Sequence, residues 1–217
     1  RLCEKNKINF IGPSADSMNL CGDKMRCKAA MLKADVPTVP GSPGLVQDAD
    51  EAEKIANDIG YPVLLKSVYG GGGRGIRLVT NDKELQEGFE TVTSESIAAV
   101  GKSAIIVEKF LEKTRHIEYQ MCRDKHGNAV HLFERECSIQ RRNQKLIEQT
   151  PSPVVDEAKR KEIGELVVKA AEAVDYTNLG TAEFLRADSG EFYFIEINAR
   201  LQVEHPISEM VSGLDFV

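Results

Sequence analysis

The segment Glu196-Ile197-Asn198-Ala199-Arg200-Leu201-Gln202-Val203-Glu204 alternates polar and apolar residues without a break. Successive side chains of an extended strand point to opposite faces, so this pattern predicts a strand with one face on a core. The residues expected on that core face are Ile197, Ala199, Leu201 and Val203. The opposite face then carries two carboxylates, two carboxamides and a guanidinium, which are groups that bind a divalent cation and a small oxyanion.

A second strand is predicted directly upstream, so that the two form a β-hairpin. Residues 181–187 and 191–198 flank a short polar turn. With Ser189-Gly190 as a two-residue loop, Asp188 pairs with Glu191, and every further pair has the same sum of residue numbers.

In this register, Glu183 lies directly opposite Glu196. Like charges at such positions, about 5 Å apart, destabilise a sheet, whereas a bridging Mg²⁺ or Mn²⁺ stabilises them. We therefore predict a metal site of Glu183, Glu196 and Asn198; the alternative is a pair of solvated surface glutamates. Because eight residue steps of straight strand span about 26 Å, Glu196 and Glu204 can serve one compact site only if the chain bends near residues 199–201.

Composition and charge exclude several functional classes. The chain has 217 residues, 41% of them hydrophobic, which is enough for one or two domains with a real core. Its 34 acidic and 28 basic residues give a net charge of −6, and Arg141-Arg142 is the only conspicuous basic block. We therefore expect no nucleic-acid partner. The sequence contains no apolar run long enough to span a bilayer, so no membrane partner is expected either.

Cysteine usage and the chain ends bear on localisation. The five cysteines lack Cys-x-x-Cys spacing and are typical of reduced thiols in a cytoplasmic protein. The chain begins with Arg1, and residues 213–217 look like the middle of a helix, so we expect a fragment of a longer protein. A removed organellar targeting peptide would then lie outside this sequence.

Four consecutive glycines mark a second candidate binding element. Residues 69–75 connect predicted strands at 62–68 and 76–80, whereas P-loops and Rossmann turns lead from a strand into a helix. A glycine-rich β-hairpin allows backbone N–H groups to approach phosphates closely. Lys66 and Arg74 favour such a phosphate-binding flap over the alternative, a simple surface turn.

Two further stretches carry polar groups suited to ligand binding. The pair Glu108-Lys109 lies at the end of the apolar strand predicted over 104–110, where it could recognise an adenine edge. Residues 140–145 contain three cations and three amides, which predicts an anion site or else a solvated loop. The other predicted elements are a strand at 8–11, helices at 14–34, 48–59, 82–100 and 156–174, and a hairpin of 115–124 with 128–137.

Several of these segments resemble the biotin carboxylase component of biotin-dependent carboxylases, which belong to the ATP-grasp superfamily. The matching segments are residues 22–24, 70–75, 108–109, 115–118, 134–142 and 196–206. The last segment is the most specific, because other ATP-grasp ligases keep its Glu-x-Asn but not the Arg-x-Gln-Val-Glu-His-Pro that follows. The resemblance covers essentially the whole chain, in order.

The resemblance implies an α+β chain with a partial ATP-grasp fold, built of antiparallel sheets and a small lid of β-hairpin and helices. It divides the chain into three parts. Residues 1–40 would be the end of an N-terminal lobe with a linker helix, 41–110 the lid, and 111–217 a catalytic subdomain truncated at its C-terminus.

The resemblance also implies nucleotide-binding roles for individual residues. The ATP phosphates would be held by Lys24, Lys66 and the backbone amides of Gly71, Gly72 and Gly73. Adenine would be recognised by Glu108, Lys109 and Leu111, the last two through their backbone, and the ribose would be contacted by His116 and Gln140. Asn143 occupies a further position in the nucleotide-binding set.

For the metal ions that bridge the phosphates, the resemblance implies Glu183, Glu196 and Asn198, the same trio that the hairpin predicts. Bicarbonate would be bound by Arg200, Gln202, the Val203 amide and Lys145, with Glu204 as general base. In the implied reaction, bicarbonate attacks the γ-phosphate of ATP, and the resulting carboxyphosphate delivers CO₂ to N1′ of biotin. Catalysis of the first step rests on positioning and charge neutralisation.

The implied partners are a biotin carboxyl carrier protein or domain and a carboxyltransferase subunit, and the full-length form is expected to be a homodimer. Asn143 stands where many family members have His but some acyl-CoA carboxylases of the propionyl type have Asn, which favours an acyl-CoA acceptor over pyruvate. Two alternatives remain open. The chain is a catalytically incomplete ATP- and Mg²⁺-binding fragment, or it belongs to another ATP-grasp ligase of the carbamoyl-phosphate synthetase type.

Overall fold

The computed structural model describes residues 1–68, 75–142 and 144–217. Its helices are Leu2–Lys5 (α1), Ala15–Gly22 (α2), Lys24–Lys33 (α3), Ala49–Ile59 (α4), Asp82–Val100 (α5), Glu157–Ala173 (α6) and His205–Ser212 (α7). Its strands are Val63–Ser67 (β1), Ile76–Val79 (β2), Ile105–Lys109 (β3), Arg115–Arg123 (β4), Ala129–Arg141 (β5), Gln144–Gln149 (β6), Asn178–Arg186 (β7) and Phe192–Asn198 (β8). Helices combined with two antiparallel sheets confirm the expected α+β class. None of the helices in the described ranges is both long and apolar enough to cross a bilayer.

Polar residues fix where the longer helices begin. The side chains of Asp48, Asn81 and Asp156 each accept the backbone N–H of the residue three positions later. Such a cap satisfies an N–H group that has no partner inside the helix. The single helix predicted over residues 14–34 is wrong, because Asp23 ends α2 and its carboxylate caps the start of α3.

The strand predicted at residues 8–11 is also wrong. These residues lie outside the helices and strands, and Ile11 is 82% exposed. An apolar run forms a stable strand only beside another strand, and none of the described strands pairs with this one.

Residues 39–112 form one compact unit. Its sheet has the order β2-β1-β3, with both neighbours antiparallel to the central strand β1. Val63 and Leu65 of β1 point into a core that α4 and α5 complete, as the alternating burial of the strand requires. The glycine-rich residues 69–74 lie outside the described residues, so the predicted phosphate flap stays a prediction.

Residues 1–38 and 113–217 form the second unit. Its five-stranded antiparallel sheet has the order β6-β5-β4-β7-β8. The predicted N-terminal segment thus packs with the C-terminal part, for α3 contacts both β8 and α6. A row of charged residues crosses this sheet on four successive strands in direct register: Arg135, Glu118, Glu183 and Glu196.

The β7–β8 hairpin places Glu183 opposite Glu196, as the sequence predicts, but the loop differs from the prediction. Ala187 N–H donates to Glu191 O at 2.8 Å, so the loop has three residues, 188–190, and Gly190 takes a positive φ of 103°. A β-bulge between the pairs Glu183↔Glu196 and Phe184↔Phe194 adds one residue to β8 and restores the predicted register.

The alternating segment that follows does not continue as a strand. β8 ends at Asn198, and α7 begins at His205, which confirms the predicted bend after Asn198. The bend reverses two predicted faces. Val203, expected on a core, is 90% exposed, whereas the polar Gln202 is only 5% exposed. The alternation of polar and apolar residues therefore does not predict which side chains are buried beyond the end of β8.

Candidate active site

Lys145 is the centre of the charged cluster on the five-stranded sheet. Its Nζ lies 3.0 Å from Glu183 Oε1 and 3.2 Å from Glu204 Oε1, and it also donates to Glu118 Oε2. These carboxylates come from β7, from the residue before α7, and from β4. Burial lowers the pKa of Lys145, but the charges of Glu118 and Glu183 outweigh it and raise the pKa above its usual value. Lys145 is therefore a permanent cation.

The fold explains how Lys145 comes to this position. Residues 140–145 were predicted as an anion site or a solvated loop. Residues 140–141 end β5 and residues 144–145 begin β6, with Gln140 opposite Lys145. Strand β6 itself was not predicted, because its sequence, Gln-Lys-Leu-Ile-Glu-Gln, is short and does not alternate polar and apolar residues. Asn143 lies outside the described residues.

Glu183 is the most strongly hydrogen-bonded carboxylate of the cluster. It is bonded to His116 Nε2 at 2.7 Å, and Asn198 Nδ2 donates to its Oε1 at 2.7 Å. Burial raises the pKa of Glu183, but the His116 contact and the Lys145 charge outweigh it and hold the pKa at about 2. The other ring nitrogen of His116 is 2.9 Å from Gln140 Nε2, so the two predicted ribose-binding residues lie together.

Glu183, Glu196 and Asn198, the predicted metal ligands, are brought together at the β7–β8 edge. Glu196 faces Glu183 in register, and Asn198 contacts Glu183 directly. Lys24 Nζ, a predicted phosphate ligand, is 3.6 Å from Glu196 Oε2, and both side chains are partly exposed. Two carboxylates and one amide are hard oxygen donors, which fit Mg²⁺ or Mn²⁺.

Two other groups of potential metal ligands occur in the described part of the chain. One contains His116, Glu118 and Cys137, and the other contains Glu118, Glu148 and Glu204; within each, the ligand atoms lie within 4.8 Å of one another. Both include Glu118, whose carboxylate is already neutralised by Lys145 and by fully buried Arg135. Glu183 contacts Lys145 but not Arg135, so a metal ion is better placed at the β7–β8 edge than at these two groups.

Of the predicted bicarbonate ligands, Lys145 contacts Glu204, the predicted general base, and Gln202 is buried against Arg135. Burial raises the pKa of Glu204, but its own backbone N–H and the Lys145 charge outweigh it and lower the pKa. Glu204 is thus ionised at neutral pH, as a general base must be. Arg200 is exposed, and its guanidinium donates only a long 3.4 Å bond to Leu201 O among the described residues.

The 39–112 unit carries the predicted phosphate ligand Lys66 and the predicted adenine ligands. Lys66 Nζ is 2.6 Å from Glu108 Oε2, so the predicted phosphate and adenine ligands neutralise each other. Lys109 Nζ donates to Gly60 O at 2.8 Å and to Tyr61 O at 3.0 Å, which fixes the end of β3. Leu111 follows β3 and is partly exposed. Gly71, Gly72 and Gly73 lie outside the described residues.

Sequence reasoning missed Glu118 and Arg135 as members of the site. The available signal was the spacing of His116, Glu118 and Gln120, which alternate with the apolar Ile117, Tyr119 and Met121. That pattern indicates a strand with one polar face. Arg135 gave no such signal, because it lies in a run of charged residues that is typical of a solvated surface.

Glu148 on β6 lies in the same cluster and was likewise not predicted. Its Oε2 is 3.5 Å from Arg135 Nε and is buried without a hydrogen-bond partner among the described residues. Burial, together with the charges of Glu118 and Glu204, raises the pKa of Glu148 to about 8. Glu148 is therefore largely protonated at pH 7, which limits the negative charge of the cluster.

Glu148→Gln is expected to remove a pH dependence of stability. The folded-state pKa of about 8 exceeds the ordinary 4.5, so the stabilising contribution of Glu148 is complete below pH 4.5 and is lost as pH rises through 8. Glutamine does not titrate. The free energy of unfolding of the variant, measured relative to the wild type, should therefore be about 1–3 kcal/mol higher at pH 8.5 than at pH 5.5. Urea unfolding of the full gene product at both pH values measures this gain, and a pH-independent difference would contradict it.

Comparisons with known proteins agree with this geometry. Residues 23–217 match the family model described as carbamoyl-phosphate synthase L chain, ATP binding domain. Over the whole chain, 51% of residues are identical to the 2-oxoglutarate carboxylase small subunit of Hydrogenobacter thermophilus, of which the match covers 46%. A biotin carboxylase of Nostoc sp. is also 51% identical over 216 residues, which are 48% of that protein. The chain thus spans about half the length of these curated relatives.

Solved structures give the same result. The biotin carboxylase domain dimer of the Hydrogenobacter thermophilus enzyme, in complex with MgADP, ADP and bicarbonate, superposes with a TM-score of 0.90 at 51% identity. That match covers the whole chain and 48% of the solved one. A Campylobacter jejuni biotin carboxylase also has a TM-score of 0.90, at 49% identity. These likenesses confirm the partial ATP-grasp fold and the resemblance to biotin carboxylases. The chain therefore belongs to the family of the carbamoyl-phosphate synthase L chain ATP-binding domain, and its relatives at about half sequence identity are biotin carboxylases.

Proposed function

We propose that the full gene product carboxylates biotin with ATP and bicarbonate, as the first half-reaction of a biotin-dependent carboxylase. The observation that carries this proposal is the Glu204 carboxylate held 3.2 Å from Lys145, which also binds Glu183 of the predicted metal trio. A base, an anion-binding cation and metal ligands are thus joined in one network of side chains.

An anionic substrate needs positive charge in addition to Lys145, which already faces three carboxylates. Lys145 and Arg200 offset the charges of Glu204 and of an incoming bicarbonate, which keeps two anions close without net repulsion. A Mg²⁺ or Mn²⁺ held by Glu183, Glu196 and Asn198 would neutralise phosphate oxygens of ATP and align them for displacement. Nucleotide contacts by Lys24, His116 and the residues of the 39–112 unit remain proposals that the family resemblance supports.

The low pKa of Glu204 constrains how it acts as a base. Bicarbonate is a much weaker acid than a carboxylic acid, so Glu204 cannot hold the proton of free bicarbonate at equilibrium. Proton transfer must then accompany the attack of the bicarbonate oxygen on the γ-phosphorus, with ADP as the leaving group. Binding of bicarbonate to Lys145 would favour this proton transfer. When Lys145 pairs with bicarbonate, its ion pair with Glu204 weakens, and the pKa of Glu204 rises.

Partners and acceptor belong to the same proposal. A biotinylated carrier protein or domain would supply the biotin, a carboxyltransferase would consume the product, and the full-length form would be a homodimer in the cytoplasm. The relatives include proteins named as subunits of propionyl-CoA, methylcrotonoyl-CoA, 2-oxoglutarate and pyruvate carboxylases. The acyl-CoA preference inferred from Asn143 therefore stays a prediction.

An ATPase assay on the full gene product tests the proposed function. We expect ADP formation that depends on bicarbonate, rises with free biotin and stops when EDTA removes the metal. Bicarbonate-dependent ADP formation that ignores biotin but rises with ammonia, with carbamoyl phosphate as product, would favour the carbamoyl-phosphate synthetase alternative. Nucleotide binding with no ADP formation under any condition would support the catalytically incomplete alternative.

A further inference from the structure

Arg135 is a fully buried charged residue of the cluster, as is its partner Glu118, and neither has exposed side-chain surface. Its guanidinium pairs with Glu118, Nη2 to Oε1 at 2.6 Å, so the charge of the pair is neutralised within the sheet. A buried guanidinium is costly unless its donors are satisfied. Beyond Glu118, its N–H groups donate to four more residues on β4, β7, α7 and the segment before α7, namely Gln120, Thr181, Ser208 and Gln202.

The contact with Gln202 fixes the orientation of an amide. Arg135 Nη2 donates to Gln202 Oε1 at 2.9 Å. A guanidinium has donors only, so the opposite orientation of the amide would place NH₂ against N–H. Arg135 therefore holds the carbonyl end of Gln202 and leaves the NH₂ end as the donor available to an anion.

A second contact holds the helix that follows. Arg135 Nη1 donates to Ser208 Oγ at 2.9 Å, within the first turn of α7. Gln202 and Ser208 lie on either side of Glu204, which itself contacts Lys145. One guanidinium thus anchors both ends of the short segment that carries the base.

We propose that Arg135 is a positioning residue for bicarbonate, an inference that rests on the proposed function. It directs the Gln202 NH₂ group toward the anion and holds Glu204 beside Lys145, without contacting bicarbonate itself. Its role differs from that of Arg200, which is exposed after the end of β8 and is the guanidinium expected to meet the substrate.

Arg135→Lys in the full gene product tests this role, because lysine keeps the charge beside Glu118 but cannot make the planar set of contacts. We expect the KM for bicarbonate to rise at least about 10-fold, since a lost charge-assisted hydrogen bond has an effect of that order. The KM for ATP should stay within about 2-fold. A purely structural defect would instead lower the active fraction and leave both KM values unchanged.

A double-mutant cycle with Gln202→Glu sharpens the test. Glutamate keeps an acceptor for Arg135 but has no NH₂ group, so Gln202→Glu alone should raise the bicarbonate KM as well. Because Arg135→Lys acts through the orientation of the NH₂ group that Gln202→Glu removes, the bicarbonate KM of the double variant should be little above that of Gln202→Glu alone. Fully additive effects would overturn the proposal.

Ser208→Ala provides a matched variant in case Arg135→Lys does not fold. It removes only the contact with α7, and we expect a bicarbonate KM about 3-fold above the wild type with an unchanged KM for ATP. An unchanged bicarbonate KM in Arg135→Lys, or in Ser208→Ala if Arg135→Lys does not fold, together with bicarbonate-stimulated wild-type activity, would overturn the positioning role alone. A wild type without bicarbonate stimulation would overturn the proposed function together with it.

Discussion

Glu204→Gln in the full gene product is expected to lower biotin carboxylation about 10²–10⁴-fold, which is the usual contribution of a positioned general base. Glutamine matches glutamate in size but cannot accept the bicarbonate proton. The nucleotide affinity should stay within about 3-fold of the wild type, because Glu204 contacts Lys145 and not the predicted metal ligands. Steady-state carboxylation of free biotin and a nucleotide titration measure the two effects.

Glu148→Gln is the matched control for that substitution. It makes the same chemical change in the same cluster, but Glu148 is largely protonated at pH 7, so glutamine resembles its native state. We expect carboxylation by this variant to remain close to the wild-type rate at pH 7. If carboxylation survives in Glu204→Gln, Glu204 is not the base, and another group accepts the bicarbonate proton.

The β7–β8 hairpin, which carries the predicted metal ligands, shows which features local sequence rules can predict. Glu183 was predicted opposite Glu196 from a two-residue loop, whereas the loop has three residues and a bulge near Ile195 compensates for the extra one. Both deviations shift the register by one residue, in opposite directions. The prediction succeeded because the core needs Phe194 and Ile197 buried, and burial of one face fixes register more strongly than turn type.

Contacts between residues far apart in the sequence could not be predicted at this site. Lys145 and Glu204 are separated by 59 residues, and Arg135 and Gln202 by 67. Neither separation leaves a periodic trace in the sequence. A charge pattern alone predicts an exposed face for Arg135, since isolated charges are costly to bury, whereas the facing Glu118 and four further acceptors make its burial possible.

Lys145→Met is expected to destabilise the full gene product by about 3 kcal/mol at pH 7, because removing one partner of a buried ion pair leaves the other charges uncompensated. Here three carboxylates lose the same cation: Glu118, Glu183 and Glu204. Urea unfolding followed by circular dichroism measures the loss. Bicarbonate-dependent activity should also disappear, since Lys145 is a proposed bicarbonate ligand.

The pH dependence of this loss identifies its electrostatic origin. In the wild type, the pKa of Glu183 is about 2, below its ordinary 4.5, so its stabilising contribution is complete above pH 4.5 and is lost as pH falls through 2. Without Lys145, the pKa of Glu183 rises, and protonation relieves the repulsion at a higher pH. The difference between Lys145→Met and the wild type should therefore shrink as pH falls from 7 toward 4.

The double variant of Lys145→Met and Glu204→Gln separates charge from packing. If the loss arises from unpaired carboxylates, neutralising Glu204 removes one of them, and the double variant should be at least about 1 kcal/mol more stable than the sum of the single effects predicts. If the loss arises only from the packing of the lysine stem, the two effects add and pH has no influence. Additive effects would show that the carboxylates of this cluster do not depend on Lys145 for their burial.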